Sequence, residues 1–277
     1  MEIIDLSLSI ENGAIEPEVP KIKYISHKRG AFLLGLAACL SRGSKLKTLS
    51  NLFRYCIGTY RVTAKDFPNG SGLAWENISA GTHSGTHLDA PYHFGPLYEG
   101  TKSKTIDEVP LDWCFQDGVL LDMRHKKAGE SIIPQDIDDE LKRIDYRIKP
   151  LDIVFIMTGA DKHWGQKDYL DCHPGMSKEA TLYLLENGVK VIGTDAYGFD
   201  RPFKDMVNDY LRTGDNEYLW PGHFAGRIHE YVHIEKMTNL DKIPSPYGFK
   251  VACFPIRIKG ASAGWTRVVA IIQRVTT

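Results

Sequence analysis

Residues His83 to His93 read HSGTHLDAPYH. Three imidazoles and a carboxylate fall in this short run, so its local conformation decides whether they can act together. A helix would put His83 and His87 on one face, four residues apart. Pro91 would then interrupt that helix and Gly85 would weaken it, which argues against a helix. In an extended strand, positions 83, 85, 87, 89, 91 and 93 share one side. His87 and Asp89 then stand roughly 6.6 Å apart at Cα, a comfortable separation for sharing one ion. His83 and His87 stand roughly 13 Å apart, a stretch for two imidazoles that must each reach a metal at about 2.0–2.1 Å. The chain must bend between them, and Gly85 at the midpoint permits a bulge or a kink. A single histidine would read as a hydrogen-bonded structural residue. Three of them with an aspartate on one face, hinged where the geometry demands it, read as a metal site.

Working outward, WENISAGTH reads as a strand running into this segment, and IIDLSLSI near the start alternates like a strand. Downstream, GVLLDM, DIVFIMTG and VKVIGTD look like buried strands. SKEATLYLLENG looks like a helix, with Ser177 placed to cap its start and Gly188 at the left-handed position past its end. HFAGRIHEYV reads as a helix and VHIEKM as a strand. FKVACFPIRIKG and GWTRVVAIIQRV resemble two strands joined by a glycine-containing loop. Strands and helices interleave throughout, which predicts an α/β architecture with a mixed β-sheet or barrel-like core and flanking helices. There is no internal repeat and no clear linker, so residues 1–277 read as a single domain. Elaborations on that scaffold are expected at about 25–75 and 197–222. The first includes a basic helical stretch, SKLKTLSNLFRY, and a turn, FPNGSG. Its apolar run AFLLGLAACL (31–40) is about half a membrane span and is expected by default to be a buried helix, with a substrate-side lid or an oligomer contact as the alternatives.

Composition excludes several classes. The 277 residues are 43% apolar and 25% charged, with a formal charge of −1. That is ordinary for a folded globular chain and carries no general basicity for nucleic acid or a membrane surface. The five cysteines are odd in number and widely spaced, with no C-x-x-C. Neither a disulfide framework nor a zinc knuckle is indicated, and reduced thiols in the cytoplasm are expected. The N-terminus shows no signal-peptide pattern. No Walker A or G-x-G-x-x-G motif occurs, so nucleotide cofactors have no handle.

HSGTHLDAPYH fits H-x-G-T-H-x-D-x-P-x-H at all seven fixed positions. It resembles the signature of the metal-dependent hydrolases called the cyclase family, which includes kynurenine formamidase, isatin hydrolase and polyketide cyclases. Asp5 to Ser7, DIVFIMTGAD, HPGMSKEATLYLLENGVKVIGTD and SAGWTRVVAI resemble its other blocks, in the same order. The resemblance implies a fold of the swivelling β/β/α type and a homo-oligomer, dimer or tetramer. It implies that His83, His87 and Asp89 bind a primary ion. It also implies that His223 and Glu235, twelve positions apart as in the family, close the site, either as ligands to a second ion or in support of the first. His223 opens an expected helix and Glu235 lies on the returning strand, so a helix–turn–strand unit can bring both over one pocket.

A mixed nitrogen and oxygen ligand set suits zinc or manganese, and one or two ions are allowed. His93, six residues beyond His87, is better placed as a general acid/base beside the ion than as a ligand, with Glu235 assisting. His229 reads as a surface residue. His233 alternates with Glu235 and is a weaker candidate. Asp195 and Asp200 read as capping or loop residues. GASAG (260–264) matches a serine-hydrolase elbow, but no helix and no histidine follow, so Ser262 reads as a loop residue.

The expected activity is hydrolysis of a carbon–nitrogen bond in a small-molecule amide, formamide or cyclic amide. A lactone hydrolase or a cyclase would use the same site. A non-catalytic metal-binding scaffold gives His93 no task.

Overall fold

A computed structural model describes residues 1–40 and 44–273. Its internal contacts divide the chain into two compact units. One comprises residues 1–10, 14–19 and everything from 81 onward; the other comprises 11–13 and 20–80.

The first unit is built on one mixed sheet of nine strands. In chain order they are β1 (Glu2–Asp5), β2 (His87–Asp89), β3 (Phe115–Asp122), β4 (Ile153–Met157), β5 (Val191–Thr194), β6 (Val232–Glu235), β7 (Phe249–Ala252), β8 (Ala263–Trp265) and β9 (Val269–Ile272). Their order across the sheet is β1-β9-β7-β3-β4-β5-β6-β2-β8. Strands β3, β4, β5 and β6 run parallel, and the remaining pairings are antiparallel. The expected α/β class with a mixed sheet is therefore present.

The apolar runs behave as parallel strands covered on both faces must. Val119, Leu121, Val154, Ile156 and Ile192 point to one side, where helices Pro134–Arg143 and Lys178–Glu186 supply Ile137, Leu141, Leu184 and Leu185. Leu120, Ile153, Phe155, Val191, Val232 and Ile234 point to the other. Each such side chain contributes roughly 1.5–3 kcal/mol by leaving water. Helix Lys178–Glu186 starts where expected: the Ser177 hydroxyl accepts from Ala180 N at 3.1 Å. Gly188 follows with φ +88°, against Pro150.

One strand expectation and one helix expectation are corrected. GWTRVVAIIQRV is not one strand but β8 and β9. These lie on distant parts of the sheet, and Thr266 between them bridges to Pro255. Its end, from Arg274 on, lies outside the described residues. HFAGRIHEYV is helical only over Pro221–Ala225, and a turn then leads into β6.

In the second unit, Lys21–Ile25 pairs antiparallel with Trp75–Ser79. WENIS therefore belongs to this two-stranded sheet and does not run on as a strand into the histidines. Helices His27–Ala37 and Lys45–Cys56 begin at Ser26 and Ser44, whose hydroxyls cap them. The apolar run at 31–40 does not bury its large residues. The buried face of its helix is Gly30, Ala31 and Gly35, while Phe32 and Leu40 are exposed. A Cβ at Gly30 would fall 1.8 Å from Leu73 O and one at Gly35 2.0 Å from Val62 O. Close backbone approach thus selects the small residues over the large ones.

Candidate metal centre

The centre is built on the three-strand group β6-β2-β8. Asp89 lies opposite His233 and Ala263, and His87 lies opposite Glu235 and Trp265. Leu88 and Ile234, between them, face the apolar core. Period-two alternation therefore puts His87, Asp89, His233 and Glu235 together on the opposite face of the sheet.

The chain reaches β2 through a turn, not a strand. Gly85 takes φ +61°, with its N–H donating to Glu16 Oε1 at 2.9 Å. Lys236 pairs with Glu16 and donates to His83 O at 2.8 Å, fixing that turn from the end of β6. Lys236 itself sits at φ +58°, a costly conformation for a long side chain, held by these contacts. The bend at Gly85 is as the spacing required. The single-sided strand from 83 to 93 is not present: the strand covers only His87–Asp89. Pro91, starting the short helix Pro91–Phe94, turns His93 back toward the cluster.

The bend closes the geometry. His83 Nδ1 lies 2.8 Å from Asp89 Oδ1, and His93 Nε2 lies 3.8 Å from Asp89 Oδ2. His87 Nδ1 lies 2.8 Å from Gly85 O. A carbonyl only accepts, so Nδ1 carries the proton and the Nε2 lone pair faces inward. It meets Asp89 Oδ1 at 3.3 Å and Glu235 Oε2 at 3.6 Å. Glu235 Oε1 accepts from Phe199 N at 2.8 Å and stands 3.8 Å from His223 Nε2. His223 Nδ1 bonds to Asp200, which also accepts from Gly222 N at the start of helix Pro221–Ala225. All six residues expected at the site are thus brought together.

His233 belongs with them, more closely than its sequence suggested. Its Nε2 is 3.1 Å from Asp89 Oδ2 and 3.5 Å from Glu235 Oε1, and its Nδ1 is 3.1 Å from Tyr231 Oη. One ligand atom from each of Asp89, His223, His233 and Glu235 falls within 4.8 Å of the others, and likewise for His83, Asp89 and His93. His229 stands apart, 40% exposed at its side chain, with Glu99 as a distant ionic neighbour. Ser262 Oγ touches His83 Nε2 at 3.1 Å, directly before β8 with no helix after it, so the elbow reading stays excluded.

The electrostatics favour a cation. Burial would raise the Asp89 carboxyl, yet His87, His83 and His233 hold it well below its ordinary value. Glu235 is lowered likewise, with His233 and His223 overcoming burial and the nearby Asp89 charge. For His233, burial works downward, but its bonds to Asp89 and Glu235 push the ring up to about 9. His93 goes the other way: loss of water, helped by His223, His83 and His233, lowers it to about 4 against the pull of Asp89.

His83, His93, His223 and Glu235 border a cavity of about 560 Å³. Tyr197, Phe199, Phe203 and Trp220 supply its aromatic wall, with the Phe203 and Trp220 rings 5.2 Å apart. Most of that wall comes from the stretch expected as an elaboration at 197–222.

Residues 4–201 match the sequence model of the family described as "Putative cyclase". This chain belongs to the cyclase family. Among its relatives, an isatin hydrolase of Roseibium aggregatum is 24% identical, over 74% of this chain and 78% of that protein. A kynurenine formamidase of Geobacillus thermodenitrificans is 26% identical, over 69% of this chain and 76% of that protein. Among solved structures, an isatin hydrolase bound to the product analogue thioisatinate shares the fold, with a TM-score of 0.70 and 19% identity. It covers 99% of this chain and 93% of its own. Isatin hydrolase A from Labrenzia aggregata gives 0.69 at 21% identity, covering 99% and 94%.

Proposed function

We propose that this member of the cyclase family is a metal-dependent hydrolase that cleaves the carbon–nitrogen bond of a small aromatic amide, formamide or cyclic amide. One observation carries the reading. His87 Nε2 is buried with no hydrogen-bond partner among the described residues, and it faces Asp89 Oδ1 at 3.3 Å and Glu235 Oε2 at 3.6 Å. A buried lone pair held against two carboxylate oxygens is costly unless something cationic lies between them.

The donor set fits a divalent ion. Imidazole lone pairs and ionised carboxylates are the ligands that zinc and manganese take, and no cysteine intrudes. His83, His87 and Asp89 would hold a first ion. His223, His233 and Glu235 would complete its shell or hold a second. An ion there supplies Lewis acidity and a water acidified to a pKa near about 7.

The chain's own groups do the rest. Asp89 and Glu235, fixed by His233 and Phe199 N, keep negative charge where the ligands converge. Asp200 and Gly85 O orient the His223 and His87 rings through their Nδ1 atoms, as outer partners of metal ligands do. His93 is neutral near pH 7, stands at the mouth of the cluster and keeps a third of its side chain open to the cavity. It takes the proton of the attacking water as the oxygen–carbon bond forms. It then returns that proton to the nitrogen as the carbon–nitrogen bond breaks. The aromatic wall excludes water around the departing amine.

The relatives named isatin hydrolase and kynurenine formamidase support the choice of an amide. The test joins metal analysis to a panel of N-formyl aromatic amines, cyclic amides and lactones with Mn²⁺ and Zn²⁺. His93→Ala is expected to lower turnover by about 10²–10⁴ with metal content unchanged. Undiminished turnover in that variant removes His93 from the chemistry. A protein that takes up no transition metal removes the whole proposal.

A further inference from the structure

The formal charge of −1 averages two unlike parts of the chain. The unit made of residues 11–13 and 20–80 carries ten lysines and arginines against three acids, Glu11, Asp66 and Glu76. Three of those cations, Lys45, Lys47 and Arg54, lie on helix Lys45–Cys56, KLKTLSNLFRYC, which holds no acid. That helix buries none of its twelve residues. One side is nevertheless anchored. Asn51 Nδ2 donates to Cys39 O at 3.3 Å, the Arg61 guanidinium stands 5.8 Å from the Tyr55 ring, and Leu52 is half-buried. The other side carries Leu46, Leu49 and Phe53, exposed at 82%, 64% and 67%, with Ile57 at the C-terminal cap exposed at 56%. At about 100° per residue, those four side chains fall within an arc of about 80°. Lys47 and Arg54 border the arc on one edge and Lys45 on the other.

Such a stripe is unfavourable while it faces water, and its charged edges say what covers it. A second copy docked about a two-fold axis would bring Lys45, Lys47 and Arg54 against their own counterparts. Nucleic acid would answer the charge, but the aliphatic side chains that dominate the stripe offer its bases no stacking surface. An anionic bilayer answers both features. The apolar stripe sinks among the acyl chains while the flanking cations reach back to the phosphates. Among the described residues no helix is long and apolar enough to cross a membrane, so this contact lies along the surface.

We propose that helix Lys45–Cys56 docks this protein on an anionic membrane surface. Leu46, Leu49, Phe53 and Ile57 enter the acyl layer, and Lys45, Lys47 and Arg54 pair with lipid phosphates. The same unit repeats the motif on a smaller scale: the Arg29 guanidinium stands 5.0 Å from the exposed ring of Phe32 on helix His27–Ala37. Each cation held near an anionic surface is worth about fivefold in affinity, so the three on the stripe are worth about 10²-fold together. Salt screens that share and leaves the apolar share in place. The docking is independent of the hydrolase reading and needs neither metal nor turnover.

The experiment sediments the full chain with vesicles of phosphatidylcholine, alone or mixed with phosphatidylglycerol, at low and at high salt. Binding to the anionic vesicles is expected to exceed binding to the neutral ones by about 10²-fold, and to weaken as salt is added. Phe53→Glu puts an acid in the stripe and should weaken binding by about tenfold or more. Its Tm should stay at the wild-type value, because the side chain is exposed. Lys45→Gln, Lys47→Gln and Arg54→Gln together should abolish the preference for anionic vesicles, and they stand in if the glutamate variant does not fold. Absence of binding to the anionic vesicles overturns the assignment. Equal binding to both kinds of vesicle overturns it too, as does binding that survives undiminished in Phe53→Glu. A wild-type oligomer that ignores vesicles and falls apart in Phe53→Glu, read by light scattering, overturns it in favour of a second copy of this chain on the stripe.

Discussion

Asp89 and Asp195 are both closed to water, and burial pushes both carboxyls upward. They end on opposite sides of the ordinary value. Asp195, directly after β5, accepts from Thr158 N, Thr158 Oγ1 and Gly159 N at 2.6–2.8 Å. Those donors are neutral, burial prevails, and its carboxyl rises to about 6. Asp89 is ringed by His83, His87 and His233, which carry it well below its ordinary value, and the Nε2 of His87 faces it at 3.3 Å with no hydrogen-bond partner among the described residues. The difference teaches that burial alone does not mark a metal centre. The mark is a carboxylate kept charged by the imidazoles around it, one of which, His87, keeps an unspent lone pair facing it.

Replacing Asp89 breaks that contrast most directly. Asp89→Ala should cut metal content to a small fraction of wild type. It should lower kcat/KM by more than about 10²-fold, beyond the loss expected from altering an outer partner of a ligand. A variant with wild-type metal content by mass spectrometry would make the two aspartates equivalent. Asp195→Ala should do the opposite, keeping its metal while the unfolding free energy at pH 4 falls by about 2 kcal/mol, as half-buried N–H groups lose their acceptor.

That stability gap should then depend on pH, with a sign that follows from the raised carboxyl. The folded state holds the Asp195 proton up to about pH 6, and the unfolded chain releases it near about 3.9. The stabilisation is therefore full below about pH 4 and is lost as pH rises through about 6, by up to about 3 kcal/mol. Denaturant melts of wild type and Asp195→Ala at pH 4, 5, 6 and 7 should converge. A gap that widens with pH would show an Asp195 already ionised at pH 4, held as Asp89 is.

The two aspartates were not equally legible in the sequence. The Asp89 side of the centre is local: His87 and Asp89 are two residues apart on one strand, and Gly85 sits where the bend must be. His233 is not local. Its place depends on β6 pairing antiparallel with β2 in one register, which sets it opposite Asp89. Its alternation with Glu235 was the available signal, and the pairing that gives the signal meaning spans 144 residues. Glu16 and Lys236 hold the turn at His83 through a pair 220 residues apart and left no local pattern. The core strands were readable because continuous apolar runs and a capped helix report themselves. The helix at 27–37 was misjudged because its packing is set by the absence of side chains at Gly30 and Gly35, which a count of apolar residues does not register.

Ser262 carries the smallest effect and sharpens the comparison from the other side. Its hydroxyl touches His83 Nε2, so it can orient a ligand of the Asp89 cluster, and it also sits in the G-x-S-x-G pattern of a nucleophile. The two roles differ greatly in magnitude. A nucleophilic serine removed costs on the order of 10⁶ in kcat, whereas one neutral hydrogen bond is worth about 0.5–1.5 kcal/mol, or up to about tenfold. Ser262→Ala should therefore reduce kcat/KM by no more than about tenfold and leave metal content intact. His83 keeps its bond to Asp89 through Nδ1 and loses only its second partner. A collapse of activity in a metal-replete Ser262→Ala protein would move the chemistry from the imidazole–carboxylate cluster to the serine. The unpartnered Nε2 of His87 would then need another explanation.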